Sequence, residues 1–286
     1  MRRRCGKCDM EVQYDAEYLK RYYDAYGMKE WYRLERNAEA KVSFFLHQHY
    51  LLQHIQRGYR VLEIGAGPGR FTLELAALGA KIVVLDISPE QLRLNKRKME
   101  QEAQLHAVEQ WVEGDVTDLS AFSAAEFDAV VCYGGPLSYV GAAAPKALTE
   151  MFRVVRADGP VLLSVMSLLG TTRRYMPSIV ELAFQYGLDQ VDRVTRTGDL
   201  IGAVAQNHHC HMFRWAELRQ LLTQQPCEII AASASGFLVL QDPDANQIAE
   251  NNLDLWEKLL QWELFYCSQP GAIDCGTHII AVTRKL

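Results

Sequence analysis

Two stretches decide the fold of this chain: Val61-Leu62-Glu63-Ile64-Gly65-Ala66-Gly67-Pro68-Gly69 and Val83-Val84-Leu85-Asp86. The first predicts a buried strand that runs into a glycine-rich turn, and the second predicts another strand that ends in an acid. A nucleoside-containing cofactor can lie across such a turn, with the acid on its ribose hydroxyls. We therefore predict an α/β fold with a cofactor site at the carboxyl ends of these strands.

The spacing of the glycines narrows the choice of cofactor. A dinucleotide fingerprint requires Gly or Ala at its sixth position, where this chain has Arg70, and Pro68 stands just before Gly69. Both features disfavour a pyrophosphate site and therefore oppose an NAD-dependent oxidoreductase. The motif Glu63-Ile-Gly65-Ala-Gly67-Pro-Gly69 resembles motif I of the class I S-adenosylmethionine (SAM) methyltransferases. In that family the glycines admit the methionine and ribose parts of SAM, and no phosphate is bound.

The resemblance, which extends from about Arg60 to the C-terminus, implies a role for individual residues. It places Glu63 near the SAM amino group, Asp86 on the ribose hydroxyls, and Asp115 on the adenine amino group. Two alternatives remain open: Glu63 as a cap on the turn amides, and Asp115 as a turn residue, with Asp118 as its competitor for the adenine contact. The implied cofactor residues are Glu63, Gly65, Ala66, Gly67, Gly69, Asp86, Ile87, Gln91, Gly114, Asp115, Val116, Cys132, Tyr133 and Gly134. We add Tyr22 and Trp31 of the N-terminal helices as lid residues over SAM, because an aromatic face suits a sulfonium through cation–π attraction.

The exit of the fourth predicted strand, Cys132-Tyr133-Gly134-Gly135-Pro136, points to the reacting centre. Cys132, Tyr133 and Gly134 are expected to line the methyl-transfer channel. Methyltransferases that act on nucleobase amino groups often carry Asn or Asp here, followed by a Pro and an aromatic residue. This chain departs from that pattern, which puts DNA adenine and protein glutamine in doubt as acceptors.

The predicted elements alternate strand and helix, which indicates a mostly parallel sheet with helices on both faces. The resemblance adds a last strand inserted antiparallel, which gives seven strands. We divide the chain into a helical lid over residues 1–56 and a SAM-binding domain over 57–286, with cap insertions at about 168–207 and 236–276. Predicted strands are Arg60–Ile64, Lys81–Asp86, Val108–Glu113, Phe127–Cys132, Val161–Val165, Glu228–Ala232 and His278–Thr283. Predicted helices are a pair within 15–56 separated at Gly27, then Phe71–Leu78, Pro89–Gln104, Pro145–Val155, Trp215–Gln224 and Ala245–Tyr266.

The overall composition limits the partners and the compartment. The 286 residues are 49% hydrophobic and 23% charged with a net charge of −5, which opposes a nucleic-acid surface. The longest apolar runs are too short to span a bilayer, and no apolar segment follows Met1-Arg-Arg-Arg, so we expect no membrane partner and no secretory signal. Seven cysteines without a framework spacing predict a cytoplasmic protein with reduced thiols.

The one close cysteine pair, Cys5 and Cys8, has the spacing of half a zinc site. No second close pair completes it, so we favour a flexible N-terminal tail and expect no bound metal.

The sequence predicts a SAM-dependent methyltransferase of a small-molecule acceptor that acts as a monomer or homodimer and releases S-adenosylhomocysteine. A general base is required only if the acceptor atom carries a proton. Our catalytic candidates are His209 and His211, from the segment His208-His209-Cys210-His211, together with Tyr133. A structural role for either histidine is the alternative. The rival functions are SAM cyclisation or cleavage, aminopropyl transfer, and non-catalytic SAM binding.

Overall fold

A computed structural model of the protein describes residues 14–205, 208–239 and 242–286. One seven-stranded sheet forms its centre, and a two-stranded ribbon lies apart from it. The strands are β1 Arg60–Ile64, β2 Lys81–Asp86, β3 Val108–Glu113, β4 Ala129–Cys132, β5 Pro160–Met166, β6 Asp199–Leu200, β7 Cys210–His211, β8 Cys227–Ala234 and β9 His278–Lys285.

The large sheet has the strand order β3-β2-β1-β4-β5-β9-β8. Strands β1 to β5 pair in parallel, whereas β9 lies antiparallel to both of its neighbours. The predicted sheet, including its antiparallel strand, is confirmed. The strand order reverses between β1 and β4, and in open α/β sheets ligands bind at the carboxyl ends of the strands at such a point.

Helices cover both faces of the sheet and account for its apolar strands. Val61 and Leu62 are both fully buried although neighbouring strand residues point to opposite faces, because helices pack on each side. The helices of the described residues are α1 Ala16–Tyr26, α2 Lys29–Tyr32, α3 Ala38–His54, α4 Arg70–Ala77, α5 Pro89–Gln101, α6 Pro136–Val140, α7 Ala144–Val154, α8 Leu168–Arg174, α9 Met176–Tyr186, α10 Leu188–Thr197, α11 Trp215–Thr223, α12 Pro243–Glu250 and α13 Leu253–Cys267. None of them is both long enough and apolar enough to cross a membrane.

The structure corrects several predicted element boundaries. The second lid helix is interrupted, since the Asn37 side chain accepts the Ala40 N–H and starts α3 as a new helix. The helix predicted from Ala245 to Tyr266 is likewise two helices, and Asn252 caps the second. The first insertion, where no elements were predicted, forms α8, α9 and α10. Strand β4 begins at Ala129, because Phe127 forms only an isolated bridge.

The division of the chain into a lid and a main domain stays a prediction. Its boundary falls between the end of α3 and the start of β1. Both insertions contain helices, although residues 206–207 and 240–241 lie outside the described part, as do residues 1–13 with Cys5 and Cys8.

Candidate functional site

A narrow cavity of about 100 Å³ lies at the carboxyl ends of β1, β2, β3 and β4. We call it the turn cavity, because the turn from Gly65 to Pro68 forms its floor. Ten predicted cofactor residues line it: Gly65, Ala66, Gly67, Asp86, Ile87, Gly114, Asp115, Val116, Tyr133 and Gly134.

The floor of the turn cavity requires glycine at Gly65. Its φ is +66°, and a Cβ placed on it would lie 2.4 Å from Cγ of Pro136 at the start of α6. Any side chain would therefore strain the backbone and collide with the ring. The bare backbone leaves room for a ligand against the turn.

Asp86 connects the turn to the end of β2. Its two carboxylate oxygens accept the backbone N–H groups of Gly67, at 2.8 Å, and Ser88, at 2.9 Å. Burial raises the pKa of the Asp86 carboxyl to about 6, against the effect of these two hydrogen bonds. Each oxygen keeps a further lone pair, so the carboxylate can hold the turn and also accept hydroxyl groups of a ligand.

The predicted adenine site carries a contact from the N-terminal segment. The Tyr14 hydroxyl donates to Asp115, whose other oxygen accepts the Thr117 N–H at 2.7 Å. The neighbouring Val116 side chain is buried and also lines the cavity. This end therefore presents one carboxylate and one apolar surface, which suits the amino group and ring face of adenine.

Glu63 lies behind the turn and does not line the cavity. It is 2% exposed and accepts a hydrogen bond from Thr72 at 2.6 Å; Asn95 in turn donates to Thr72 at 2.8 Å. Burial raises the pKa of Glu63 to about 8, so this group holds a proton at neutral pH. The placement favours a structural role for Glu63 at Thr72 of α4, which is neither contact with the SAM amino group nor the predicted capping of the turn amides.

Five other predicted cofactor residues also lie outside the turn cavity. Gly69 starts α4, Cys132 is fully buried within the sheet, and Gln91 donates to the carbonyls of Tyr23 and Gly27. Trp31 contacts the cations of Arg70 and Lys98, which lie 4.8 and 4.3 Å from its ring, and it does not line the turn cavity. Tyr22 lines a second cavity.

This second cavity, which we call the cap cavity, has a volume of about 690 Å³ and adjoins the turn cavity. Helices α1, α2, α9 and α10 and the ends of β5 and β9 contribute to its walls. Most of its surface is apolar or aromatic: Tyr22, Tyr26, Met166, Tyr175, Ile179, Leu182, Val191, Val194, Leu200, Val204 and Met212. Six residues line both cavities: Tyr23, Glu30, Arg33, Leu34, Gly134 and Tyr139.

Within the predicted segment from His208 to His211, His208 is the histidine that lines the cap cavity. Its ring packs edge-on against Tyr139, and burial together with the charge of Arg33 lowers its pKa. Its neighbour His209 instead stacks on Tyr18 and lines neither cavity. A neutral imidazole thus faces the cap cavity one residue before the predicted position.

His211 also lies outside both cavities, contrary to its predicted catalytic position. Its two ring nitrogens lie 2.7 Å from Asp199 and 2.7 Å from Glu217. Burial opposes the charge, but the two carboxylates outweigh it and raise the pKa of His211 to about 9. A protonated histidine with both ring nitrogens hydrogen-bonded is poorly placed to accept a proton, so this placement favours the structural alternative for His211.

Tyr133 lines the turn cavity, yet its hydroxyl points away into the core. That hydroxyl donates to the His47 carbonyl at 3.4 Å, and its ring packs between His47 and Phe71. Burial raises the pKa of Tyr133 well above its ordinary value. The residue supports the cavity wall and is poorly placed for proton transfer.

Residues 61–159 match the family model described as "Methyltransferase domain". The chain contains a methyltransferase domain. The resemblance to the class I SAM methyltransferases that motif I implied is thereby confirmed. This domain includes β1 to β4, the turn and the carboxyl ends of the strands that line the turn cavity, but not the lid or the cap insertions.

Curated relatives match only part of this chain. The ubiquinone biosynthesis O-methyltransferase of Xanthomonas axonopodis pv. citri is 38% identical over 80 residues, which is 26% of this chain and 30% of that protein. The malonyl-[acyl-carrier protein] O-methyltransferase of Erwinia billingiae is 34% identical over 112 residues, which is 39% of this chain and 41% of that protein. The chain thus spans well under half the length of either relative.

A solved structure extends the similarity of fold beyond the methyltransferase domain. A SAM-dependent methyltransferase from Thermotoga maritima superposes with a TM-score of 0.56 at 15% identity, over 95% of this chain and 100% of that one. At this identity the comparison supports the fold and carries nothing about the acceptor.

The sequence reasoning missed several residues that the structure brings to the two cavities. Tyr14, Glu30, Arg33, Tyr139 and His278 line them, and all but Tyr139 come from segments outside the methyltransferase domain. The sequence signal for these residues is limited to the opposite charges of Glu30 on α2 and Arg33 just after its end, three positions apart.

Proposed function

We propose that this protein transfers the methyl group of SAM to a small-molecule acceptor bound in the cap cavity. The observation that carries the proposal is the wall shared by the two cavities at Gly134, directly after β4. A donor in the turn cavity and an acceptor in the cap cavity would meet there. SAM supplies a methyl group that its sulfonium charge has already activated, so alignment of the two ligands is the main task of the protein.

The residues of the turn cavity match the chemical groups of SAM in order. Asp115 and Val116 suit adenine, Asp86 suits the ribose hydroxyls, and Gly65 leaves space for the remaining portion beside Gly134. No cluster of basic side chains for a phosphate is required, because SAM has no phosphate.

The cap cavity supports a metabolite-sized acceptor. Pockets that bury most of a drug-sized ligand span about 300 to 1,000 Å³ and are mostly apolar with a few polar groups. The cap cavity has about 690 Å³ and such a lining. Both curated relatives named above are O-methyltransferases, so we propose an oxygen acceptor.

His208 is our candidate for the general base. Its lowered pKa keeps the imidazole neutral at physiological pH, and it packs on Tyr139 in the shared wall. His278 also lines the cap cavity, but burial and the charge of Arg33 lower its pKa to about 3. Such a weakly basic imidazole is a poor proton acceptor, because a base works best when its pKa lies near the operating pH.

The first experiment is calorimetric titration of the purified protein with SAM, S-adenosylhomocysteine and NAD. We expect micromolar binding of the first two and none of NAD. A panel of phenols and carboxylic acids incubated with SAM should then release S-adenosylhomocysteine for at least one member. Adenosine-containing products other than S-adenosylhomocysteine would instead favour SAM cleavage or aminopropyl transfer. Binding without any turnover would favour a non-catalytic SAM-binding protein.

A further inference from the structure

The ion pair of Glu30 and Arg33 occupies the junction of the two cavities. Nε and Nη2 of Arg33 both lie 2.7 Å from Oε1 of Glu30. Among the described residues, neither Nη1 of Arg33 nor Oε2 of Glu30 has another hydrogen-bond partner. The Arg33 side chain keeps 26% of its surface accessible and Glu30 keeps 17%, and both line the two cavities. Unused donors and an unused acceptor therefore face the ligand space.

The position of this pair follows from the order of sites along the turn cavity. Glu30 Cγ lies 3.5 Å from where a Cβ of Gly67 would stand, and Arg33 Nη2 lies 3.4 Å from the same position at Gly134. The pair thus spans from the glycine turn to the exit of β4. With adenine at Asp115 and ribose at Asp86, this end remains for the amino-acid portion of SAM.

The chemistry of that portion matches the pair. An α-amino acid is a zwitterion, and a carboxylate and an ammonium lose favourable hydration when buried unless each finds a partner of opposite charge. The planar fork of arginine presents paired donors to a carboxylate, and a glutamate oxygen accepts from an ammonium. Glu63, which the resemblance placed near the amino group, is occupied by Thr72 behind the turn.

We propose that Arg33 and Glu30 bind the amino-acid end of SAM, with Arg33 donating to its carboxylate and Glu30 accepting from its ammonium. This inference rests on the proposed function, since it assigns a part of the same cofactor. Both residues belong to the lid. The lid docks beside the end of β2, where the Ser88 hydroxyl donates to Asp24 at 2.6 Å and the Gln91 amide donates to the Tyr23 carbonyl at 2.9 Å. The lid thereby becomes part of the cofactor site.

The test compares S-adenosylhomocysteine with 5′-methylthioadenosine, which keeps adenine, ribose and sulfur but lacks the amino-acid end. The variant is Glu30→Gln combined with Arg33→Gln, because a single substitution would leave one buried charge unpaired. Calorimetry measures both ligands on both proteins. The control is Glu90→Gln combined with Arg93→Gln, an exposed pair with the same residue types and spacing on α5.

We expect the natural protein to bind S-adenosylhomocysteine at least about thirtyfold more tightly than 5′-methylthioadenosine. The double variant should lose about 10- to 100-fold of this preference, with the affinity for 5′-methylthioadenosine within about threefold. The exposed control should change neither affinity. Retained binding of 5′-methylthioadenosine also shows that the variant is folded.

Two results would overturn the inference and leave the proposed function standing. One is a double variant that keeps the full preference for S-adenosylhomocysteine over 5′-methylthioadenosine, which would mean that the pair does not bind the amino-acid end of SAM. The other is an equal loss for both ligands, which would mean that the pair only holds the lid in place. If the natural protein binds neither ligand, the proposed function fails, and this inference fails with it.

Discussion

The turn cavity and the cap cavity differ in how their residues are distributed along the chain. Most predicted residues of the turn cavity lie within one segment, 65–116, and all of that segment belongs to the methyltransferase domain. The cap cavity takes residues from Tyr22 to His278, including both sides of the sheet and the first insertion. Local backbone geometry builds the glycine-turn side of the turn cavity, to which the lid adds residues such as Glu30 and Arg33, whereas the cap cavity exists only after distant helices have packed.

This difference predicts that the two cavities can be damaged separately. Substitutions around the glycine turn should weaken every adenosine ligand, whereas substitutions in the cap cavity should spare cofactor binding and reduce turnover. The predictions below test that separation, from the largest expected effect to the smallest.

The largest effect is expected for His208→Gln. If His208 removes the acceptor proton, kcat should fall by about 10²- to 10⁴-fold while the affinity for S-adenosylhomocysteine stays within about threefold. Because the pKa of His208 is lowered, the acid limb of the natural pH profile should lie below the ordinary histidine value. Kinetics with the acceptor identified by the panel, together with calorimetry, provide the two measurements.

The neighbouring histidine provides a matched control for His208. His209→Gln changes a ring that stacks on Tyr18 outside both cavities, so activity should remain within about twofold. If His278→Gln loses kcat to this extent while His208→Gln stays fully active, the general base is His278 on β9 and not His208. A loss of cofactor affinity in His208→Gln would show that the two cavities are not separable.

The next effect is expected for Asp86→Asn on the cofactor side. Loss of charge-assisted hydrogen bonds to ribose should weaken S-adenosylhomocysteine and 5′-methylthioadenosine alike, by about 1.5–3 kcal/mol. Stability should change by less than about 1 kcal/mol, because the loss of one accepted N–H bond is offset by removal of the buried charge that raises the Asp86 pKa. Calorimetry and urea denaturation measure the two effects.

The pH dependence of cofactor affinity provides a sharper test of Asp86. Burial raises its pKa to about 6, so the natural protein should lose affinity as the pH falls through about 6, when the carboxylate becomes protonated. Asp86→Asn should show no such step. Asp128→Asn is the control. Asp128 also accepts a strand N–H, from Arg60 at 2.8 Å, but it lies at the amino ends of β1 and β4, away from the turn cavity. Unchanged ligand affinity in Asp86→Asn would remove the ribose assignment.

The same contrast explains how much of the molecule the sequence could predict. The sequence predicts the strands, the glycine turn and the acids at the strand ends, because short apolar runs, glycines and turn residues lie within a few positions of one another. The sequence could not place Arg33 or His278 in either cavity, because no local pattern indicates which distant helices pack over β4. His208 and His209 show the limit most directly, since a shift of one residue decides which ring faces the cavity.

The smallest effect is expected for the stability of the cap. His211 bridges Asp199 beside β7 and Glu217 on α11, and its pKa rises from 6.5 to about 9 on folding. Because the folded pKa is the higher one, the stabilisation is complete below about pH 6.5 and is lost as the pH rises through about 9. His211→Gln should therefore be less stable than the natural protein by about 1–2 kcal/mol at pH 6, and the difference should vanish by about pH 10.

Urea denaturation at several pH values measures this difference, with exposed His106→Gln as a control that should show none. A gap between the natural protein and His211→Gln that stays constant from pH 6 to pH 10 would mean that the imidazole is not charged in the fold. The bridge joins β7 to the start of α11, next to Cys210 and Met212 of the cap cavity. Its loss at high pH should consequently raise the KM for the acceptor and leave the affinity for S-adenosylhomocysteine unchanged, because no residue of this bridge touches the turn cavity.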